Sequence, residues 1–181
     1  MSVFNFFSRL TYLSMSPIVH GLIIISFVFS MNTYSLKGQT PVFEYVKAMG
    51  GPSTDIGSSV SLDARGNLYT AGSFEETVDF DAGPLSYVLK SNGARDIFIT
   101  KMDSKGELIW AKNIGGDKSD DGRYMSTDLS GNIYITGTFQ GTVDFDPGPG
   151  LFPLTSQNKD DLFILKLNAD GNFLWAYQFN A

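Results

Sequence analysis

Most of this chain is one sequence written twice. Residues 43–116 align with residues 108–181 without a gap at an offset of 65, and 28 of the 74 aligned pairs are identical. An internal repeat of this length indicates a supersecondary unit that buries its apolar surface against neighbouring copies of itself. The sequence therefore predicts a repeat architecture, with one unit over residues 43–110 and a second over residues 111–181.

Short turns punctuate each repeat wherever Asp or Asn is followed three residues later by Gly. In such a turn the first side chain bonds to the backbone two residues on, and Gly supplies a positive φ. The turn residues predicted in this way are Gly66, Asn67, Gly106, Gly131, Asn132 and Gly171. The segments on either side are rich in β-branched and aromatic residues, which predicts two hairpins in each repeat.

The predicted strands are apolar on both faces. In the segment Leu162–Leu167, Phe163 and Leu165 point one way, while Leu162 and Ile164 point the other way. A sheet of such strands must be covered on both sides. Four-stranded antiparallel units that cover one another are the blades of a β-propeller. We therefore predict an all-β fold of two four-stranded antiparallel β-propeller blades with a 65-residue repeat.

The number of copies bears on how such a propeller would close. Propellers have about four to eight blades, and this chain supplies two. The segment 42–49 corresponds to segments 107–114 and 172–179, so one strand of the blade occurs three times. A spare strand of this kind is what ring closure uses. We expect the chain to be the N-terminal portion of a larger propeller, with further blades as its partners.

Four motifs shared by both copies carry a family resemblance. In order they read Asp-x-x-Gly-Asn-x-Tyr-x-x-Gly-x-Phe, Val-Asp-Phe-Asp, Asp-x-Phe-x-x-Lys and Gly-x-x-x-Trp-Ala, beginning at Asp63 in the first copy and at Asp128 in the second. This pattern resembles the SBBP-type β-propeller repeat. The resemblance implies an exported bacterial protein, typical of the Bacteroidetes group. It implies no catalytic residues, because the family is defined by scaffold positions.

The first 38 residues have the composition of an export signal. They hold no Asp or Glu, and Arg9 precedes an apolar segment over residues 18–31. Because a membrane span needs about 20 apolar residues, this segment predicts a signal peptide over residues 1–38, cleaved after Gly38 or after Ser35. An uncleaved membrane anchor is the alternative. We expect a secreted or cell-surface protein with no stable membrane span after cleavage.

Composition excludes several classes of function. Removal of Arg9 and Lys37 with the signal leaves 11 basic and 19 acidic side chains, so nucleic acid is not an expected partner. The chain has no Cys, and its one histidine, His20, lies in the predicted signal. Ser–His triads, Cys nucleophiles and zinc sites with nitrogen or sulfur ligands are therefore not available to the mature chain.

Two carboxylates precede a Gly in each copy: Asp79 and Asp81, then Asp144 and Asp146. This spacing is a fragment of a calcium-loop pattern, although the third ligand position and the distal Glu are missing. Calcium is the one candidate cofactor, and strand-and-turn geometry is the alternative. Paired carboxylates can also hydrolyse glycosides, but recurrence in every copy indicates a scaffold role.

A polar pair recurs in each copy, as Asp96 with Lys101 and as Asp161 with Lys166. On a covered strand each of these groups needs a partner. We interpret them as ion pairs between blades.

Three aromatic residues share one phase of the repeat: Tyr45, Trp110 and Trp175. Large aromatic side chains in one structural phase indicate packing between blades, and stacking against sugars is the alternative.

We predict a non-catalytic module that binds a protein or a glycan at the cell surface or outside the cell. The alternative is part of a carbohydrate-active propeller enzyme that uses paired carboxylates. Binding residues collect on loops carried by a rigid scaffold, so the insertion loops over residues 84–95 and 149–160 are the best candidates for the contact surface.

Overall fold

The computed structural model describes residues 23–24 and 45–180, and this part of the chain is all-β. It contains strands and turns, and no helix in it is long and apolar enough to cross a membrane. Apart from one strand, the predicted signal over residues 1–38 lies outside the described residues. That strand, β1 (Ile23–Ile24), pairs antiparallel with β2 (Lys47–Ala48).

The first copy of the repeat folds into a four-stranded antiparallel sheet, which we call blade 1. Its strands, in spatial order, are β3 (Asp55–Leu62), β4 (Leu68–Phe74), β7 (Asp96–Met102) and β8 (Leu108–Ile114). The four strands follow one another across the sheet in chain order, and short turns join β3 to β4 and β7 to β8.

The second copy folds in the same way into blade 2. Its strands, in spatial order, are β9 (Asp121–Thr127), β10 (Ile133–Phe139), β13 (Asp161–Leu167) and β14 (Phe173–Phe179). Two four-stranded antiparallel sheets confirm the predicted fold class. The boundary between the predicted repeats 43–110 and 111–181 falls inside β8. The choice of the first residue of a repeat unit is arbitrary, so this boundary need not coincide with the end of a blade.

A small hairpin is inserted between the second and third strands of each blade. In blade 1 it consists of β5 (Thr77–Asp79) and β6 (Val88–Lys90), and in blade 2 of β11 (Thr142–Asp144) and β12 (Pro153–Thr155). The inserted hairpins lie at one end of the blades, the hairpin end. The turns at Asp63–Gly66, Asp103–Gly106 and their counterparts lie at the other, the turn end.

Each blade has two faces, which we name by their residues. The phenylalanine face carries Leu68, Phe74 and Phe98 in blade 1, and Ile133, Phe139 and Phe163 in blade 2. The lysine face carries Tyr69, Lys101 and Trp110 in blade 1, and Tyr134, Lys166 and Trp175 in blade 2.

The main core lies between the blades. The lysine face of blade 1, including Ile97 and Ile99, packs against the phenylalanine face of blade 2, including Ile135 and Phe163. The phenylalanine face of blade 1 forms a second cluster, to which Met49 contributes. Each blade therefore obtains its core from a neighbour, as its sequence predicted.

The inserted hairpins belong to the same cores. Phe80 lies 5.3 Å from Phe74 and 5.0 Å from Phe98 between ring centroids, and Phe145 repeats this cluster in blade 2. Because Phe80 and Phe145 are fully buried, the base of each hairpin is a fixed part of the blade. Only the hairpin tip protrudes.

Burial differs between the blades. Every residue of β4 and β7 is buried, so both faces of blade 1 are covered, as the sequence predicted. In β10 and β13 every second residue is at least partly exposed. The lysine face of blade 2 is open, and the described residues form no closed ring of blades.

Candidate functional site

The predicted turn residues build the turn end. Gly66, Gly106, Gly131 and Gly171 have φ values of 80°, 78°, 81° and 76°. Asp63 Oδ1 accepts hydrogen bonds from the backbone N–H groups of Arg65 and Asn67, both at 2.9 Å, and Asp63 Oδ2 accepts one from Asn67 Nδ2 at 2.8 Å.

Asp128 makes the same three bonds, with Ser130 and Asn132. Partial burial acts to raise the pKa of Asp63, but the bonds from Asn67 and Arg65 outweigh it and hold that pKa below its ordinary value. The oxygens of these turns are therefore committed to the chain itself.

The four carboxylates considered for calcium organise the hairpin tips. Asp79 Oδ1 accepts hydrogen bonds from the backbone of Asp81 at 3.0 Å and of Tyr87 at 2.8 Å. Asp81 Oδ1 accepts one from Gly83 at 2.7 Å. Asp144 and Asp146 repeat this arrangement in blade 2. Among the described residues, no three acidic or histidine side chains come together in a way that could hold a metal ion.

Two of the three recurring aromatic residues, Trp110 and Tyr45, cover a glycine turn. The Trp110 ring covers Gly171, so that a Cβ on that glycine would lie 3.2 Å from the ring. Tyr45 covers Gly106 in the same way. Trp175 lies on the open lysine face, 6.2 Å from Tyr134 between ring centroids. Trp110 and Tyr45 thus each cover the turn of the following blade.

The predicted ion pairs between blades are wrong for Asp96 and Lys101, which bond to uncharged groups instead. These residues are separated by an odd number of positions in β7 and therefore point to opposite faces. Lys101 Nζ donates to the backbone carbonyl of Ala169, in the adjacent blade, at 2.9 Å. Asp96 Oδ2 accepts from the backbone of Asn92 at 2.9 Å, and Asp161 accepts from Gln157 at 2.7 Å.

Sequence reasoning missed a further recurring carboxylate, the buried Asp120 and its partly buried equivalent Asp55. Asp120 is fully buried and accepts hydrogen bonds from the backbone of Gly116 at 2.8 Å and of Gln140 at 3.0 Å. Desolvation outweighs these bonds and raises the pKa of Asp120 to about 6. A sequence pattern could have indicated these carboxylates. Both copies contain a Gly followed four residues later by Asp, beginning at Gly51 and at Gly116.

An ionic bridge joins the two blades at the hairpin end. Arg95 Nη1 lies 3.2 Å from Asp121 of blade 2, and Arg95 Nη2 lies 3.1 Å from Glu75 of blade 1. In blade 2 the equivalents of Arg95 and Glu75 are Asp160 and Gln140, and Gln140 Nε2 donates to Asp160 Oδ1 at 2.7 Å. The charge at this position is therefore opposite in the two blades.

The hairpin tips present exposed apolar side chains. Leu85 is 74% exposed and Leu151 is 84% exposed, and Tyr87 beside Leu85 is 40% exposed. The backbone N–H of Phe80 donates to the carbonyl of Tyr87 at 3.0 Å, and Phe145 repeats this bond with Phe152, so both tips are held in place. The tips are therefore rigid apolar projections at one end of the molecule.

At the turn end, a groove of about 240 Å³ lies between the blades. Its lining includes Asp63, Lys101, Gly131 and Ala169, with the exposed Leu129 at its edge. Lys101 and Asp63 are already bonded within the chain, which leaves Arg65 and Ser130 as the polar side chains that the groove offers to a ligand.

Similar proteins were found among curated sequences, and no protein-family model matches the chain. An uncharacterised WD repeat-containing protein of Acanthamoeba polyphaga mimivirus is 28% identical over 127 residues, which is 65% of this chain and 9% of that protein. The regulatory protein FlaEY of Caulobacter vibrioides is 24% identical over 132 residues, which is 71% of this chain and 13% of that protein. Neither name describes an enzyme. The first similarity supports a β-propeller-type repeat protein.

Proposed function

We propose that this chain is an exported, non-catalytic β-propeller repeat module of the SBBP type that binds a protein partner through its hairpin end. The observation that carries this proposal is the pair of exposed leucines, Leu85 and Leu151, on tips that are fixed by Asp79 and Asp144. Exposed apolar side chains on rigid supports are typical of contact surfaces between proteins.

The role of the carboxylates supports a non-catalytic module. An enzyme that hydrolyses glycosides needs one carboxyl group to act as an acid and another to act as a base or nucleophile. In both blades the recurring carboxylates Asp79, Asp81, Asp144 and Asp146 accept hydrogen bonds from the backbone of their own hairpin. These groups position the loop that carries the leucines.

Export is the second part of the proposal. Its support is the acid-free segment 1–38 with Arg9 ahead of an apolar stretch. If a C-terminally tagged chain is produced in its source cells, we expect the exported form to have the mass of residues 39–181 plus that of the tag. An exported form that still begins at Met1 would contradict cleavage.

The contact surface is tested by cross-linking the exported chain to its surroundings and comparing variants. We expect the double variant Leu85→Asp and Leu151→Asp to lose the cross-linked partner. Leu129→Asp is the matched control, because Leu129 is 97% exposed but lies at the turn end. If Leu129→Asp loses the cross-linked partner and the double variant keeps it, the contact surface is the groove at the turn end and not the hairpin end. Turnover of a glycan substrate by the unaltered chain would overturn the non-catalytic role.

A further inference from the structure

We infer that the lysine face of blade 2 is a docking surface for a further blade of the 65-residue repeat, one that carries Arg or Lys opposite Asp160. This inference concerns the side of the blade and is independent of the contact surface proposed at the hairpin end. It starts from the equivalent face of blade 1, whose occupant is visible.

The contacts of blade 1 show what the face accepts. Lys101 donates to the carbonyl of Ala169, and the Trp110 ring covers Gly171, so both residues hold one turn of blade 2. Further along the face, Ser59 Oγ accepts a hydrogen bond from the backbone of Met125 at 3.1 Å. The occupant is therefore a blade that presents a glycine turn and an apolar sheet face.

Blade 2 presents the same groups without an occupant. Lys166 lies over the Tyr134 ring at 4.8 Å from its centroid, as Lys101 lies over the Tyr69 ring at 5.1 Å. No carbonyl among the described residues accepts a hydrogen bond from Lys166 Nζ. The exposed apolar side chains of this face include Leu162, Tyr177 and Phe179, at 48%, 62% and 55%. Together they form one apolar face on a rigid sheet.

A second copy of this chain does not supply the missing face. Its blade 1 has a buried phenylalanine face, with Phe74 and Phe98 at 0% exposure, and the phenylalanine face of its blade 2 is already packed on blade 1. The occupant is consequently a blade other than the two described.

Charge further defines that blade. At the existing junction Arg95 faces Asp121, whereas at the open face Asp160 stands where Arg95 stands in blade 1. The position of Asp121 is Ile56 in blade 1. Asp160 accepts a hydrogen bond from the neutral Gln140 but forms no ion pair among the described residues, and a carboxylate that enters a packed junction without a counter-charge is costly. A basic residue opposite Asp160 forms an ion pair equivalent to Arg95–Asp121, with the positive and negative charges exchanged between the two blades.

The test extends the full chain by a copy of residues 117–181 placed after Ala181, which keeps the 65-residue period. One extension is unaltered, and the other carries Asp121→Arg within the copy. The chain has no cysteine, so Leu162→Cys in the original part supplies a single thiol on the open face. Ile97→Cys is the matched control, because Ile97 is its equivalent on the covered face.

We expect thiol labelling of Leu162→Cys to slow by roughly tenfold with the Asp121→Arg extension, and much less with the unaltered one. Asp160→Arg should reverse that preference. Equal protection by both extensions would overturn the charge requirement. If neither extension protects while Ile97→Cys stays protected, the docking surface itself is overturned. Protection that appears in the unextended chain and grows with its concentration would also overturn it, in favour of a second copy.

Discussion

Ile97 in blade 1 and Leu162 in blade 2 occupy the same position of the repeat, yet they are 0% and 48% exposed. Ile114 and Phe179 form a second such pair, at 2% and 55%. The sheets that carry them have the same strand order, and their second and third strands pair in the same register. The difference in exposure arises from the neighbouring blade, because of the two lysine faces only that of blade 1 is covered by another blade. In a repeat protein, burial is thus a property of the junction as much as of the residue.

Truncation of the equivalent residues Ile97 and Leu162 should give the largest difference in stability between the two lysine faces. We expect Ile97→Ala to lower the free energy of unfolding by about 2–5 kcal/mol, because it leaves a cavity in a packed core. Leu162→Ala should cost well under half as much, since water already reaches that side chain. Urea denaturation of both variants gives the comparison. Equal losses would mean that the two faces are equally packed.

Substitution of turn glycines tests the contact between Trp110 and the next blade. Gly66 and Gly171 have nearly the same φ, so Ala at either position costs about 1–2 kcal/mol from the backbone. A Cβ at Gly171 would lie 3.2 Å from Trp110, whereas the nearest atom to a Cβ at Gly66 is 3.8 Å away. We therefore expect Gly171→Ala to be the more destabilising variant by urea denaturation.

Trp110→Leu should remove that excess if it comes from the ring. An excess that persists in the Trp110→Leu background would assign the effect to the turn alone.

The pH dependence of stability should report on the buried carboxylate between the blades. Desolvation raises the pKa of Asp120 to about 6, above its value of about 3.9 in the unfolded chain. The folded state then binds a proton more tightly, so stability is gained as the pH falls from about 6 to about 4, and is lost as it rises.

We expect the urea midpoint to be higher at about pH 5 than at about pH 7, with a smaller difference in Asp120→Asn. Asp128→Asn is the control: hydrogen bonds from Asn132 hold the pKa of Asp128 below its ordinary value, so it acts at lower pH. A midpoint that is flat between these pH values would contradict the assignment.

The smallest effect should come from the one described non-glycine residue with a positive φ. Glu76 has φ of 61°, and its equivalent in blade 2 is Gly141 with φ of 68°. Glu76→Gly relieves about 1–2 kcal/mol of backbone strain in the folded state. Gly also raises the conformational entropy of the unfolded chain, which offsets part of this gain in stability. We expect thermal unfolding to show a net gain of about 0.5 kcal/mol, and Gly141→Glu to show a loss. A loss in Glu76→Gly would show that its side chain contributes more than the strain costs.

The repeat made the fold class predictable. Turn positions such as Gly66 and Gly131 follow from local chemistry, because few residues accept a positive φ. The partners of Lys101 and Asp96 were not predictable in this way. Their separation in β7 places them on opposite faces, and the acceptor of Lys101 lies 68 residues away in the neighbouring blade. Contacts of this kind depend on how two repeats are set against each other, which no single repeat encodes.

The candidate site shows the same limit. The sequence located the insertion loops and the recurring carboxylates, but it could not separate the buried base of each hairpin from its exposed tip. Phe80 and Leu85 are both apolar residues of one insertion, and only packing against Phe74 and Phe98 distinguishes them.

Amine labelling of the unmodified chain, followed by mass spectrometry, tests the difference between the two lysine faces most directly. Lys101 is 9% exposed and bonded across the junction, whereas Lys166 lies on the open face. We expect Lys166 to react roughly tenfold faster than Lys101 under native conditions, and the two to react alike once urea has unfolded the chain. Equal rates in the native chain would show that both faces are covered alike, and would contradict the account of an open blade 2.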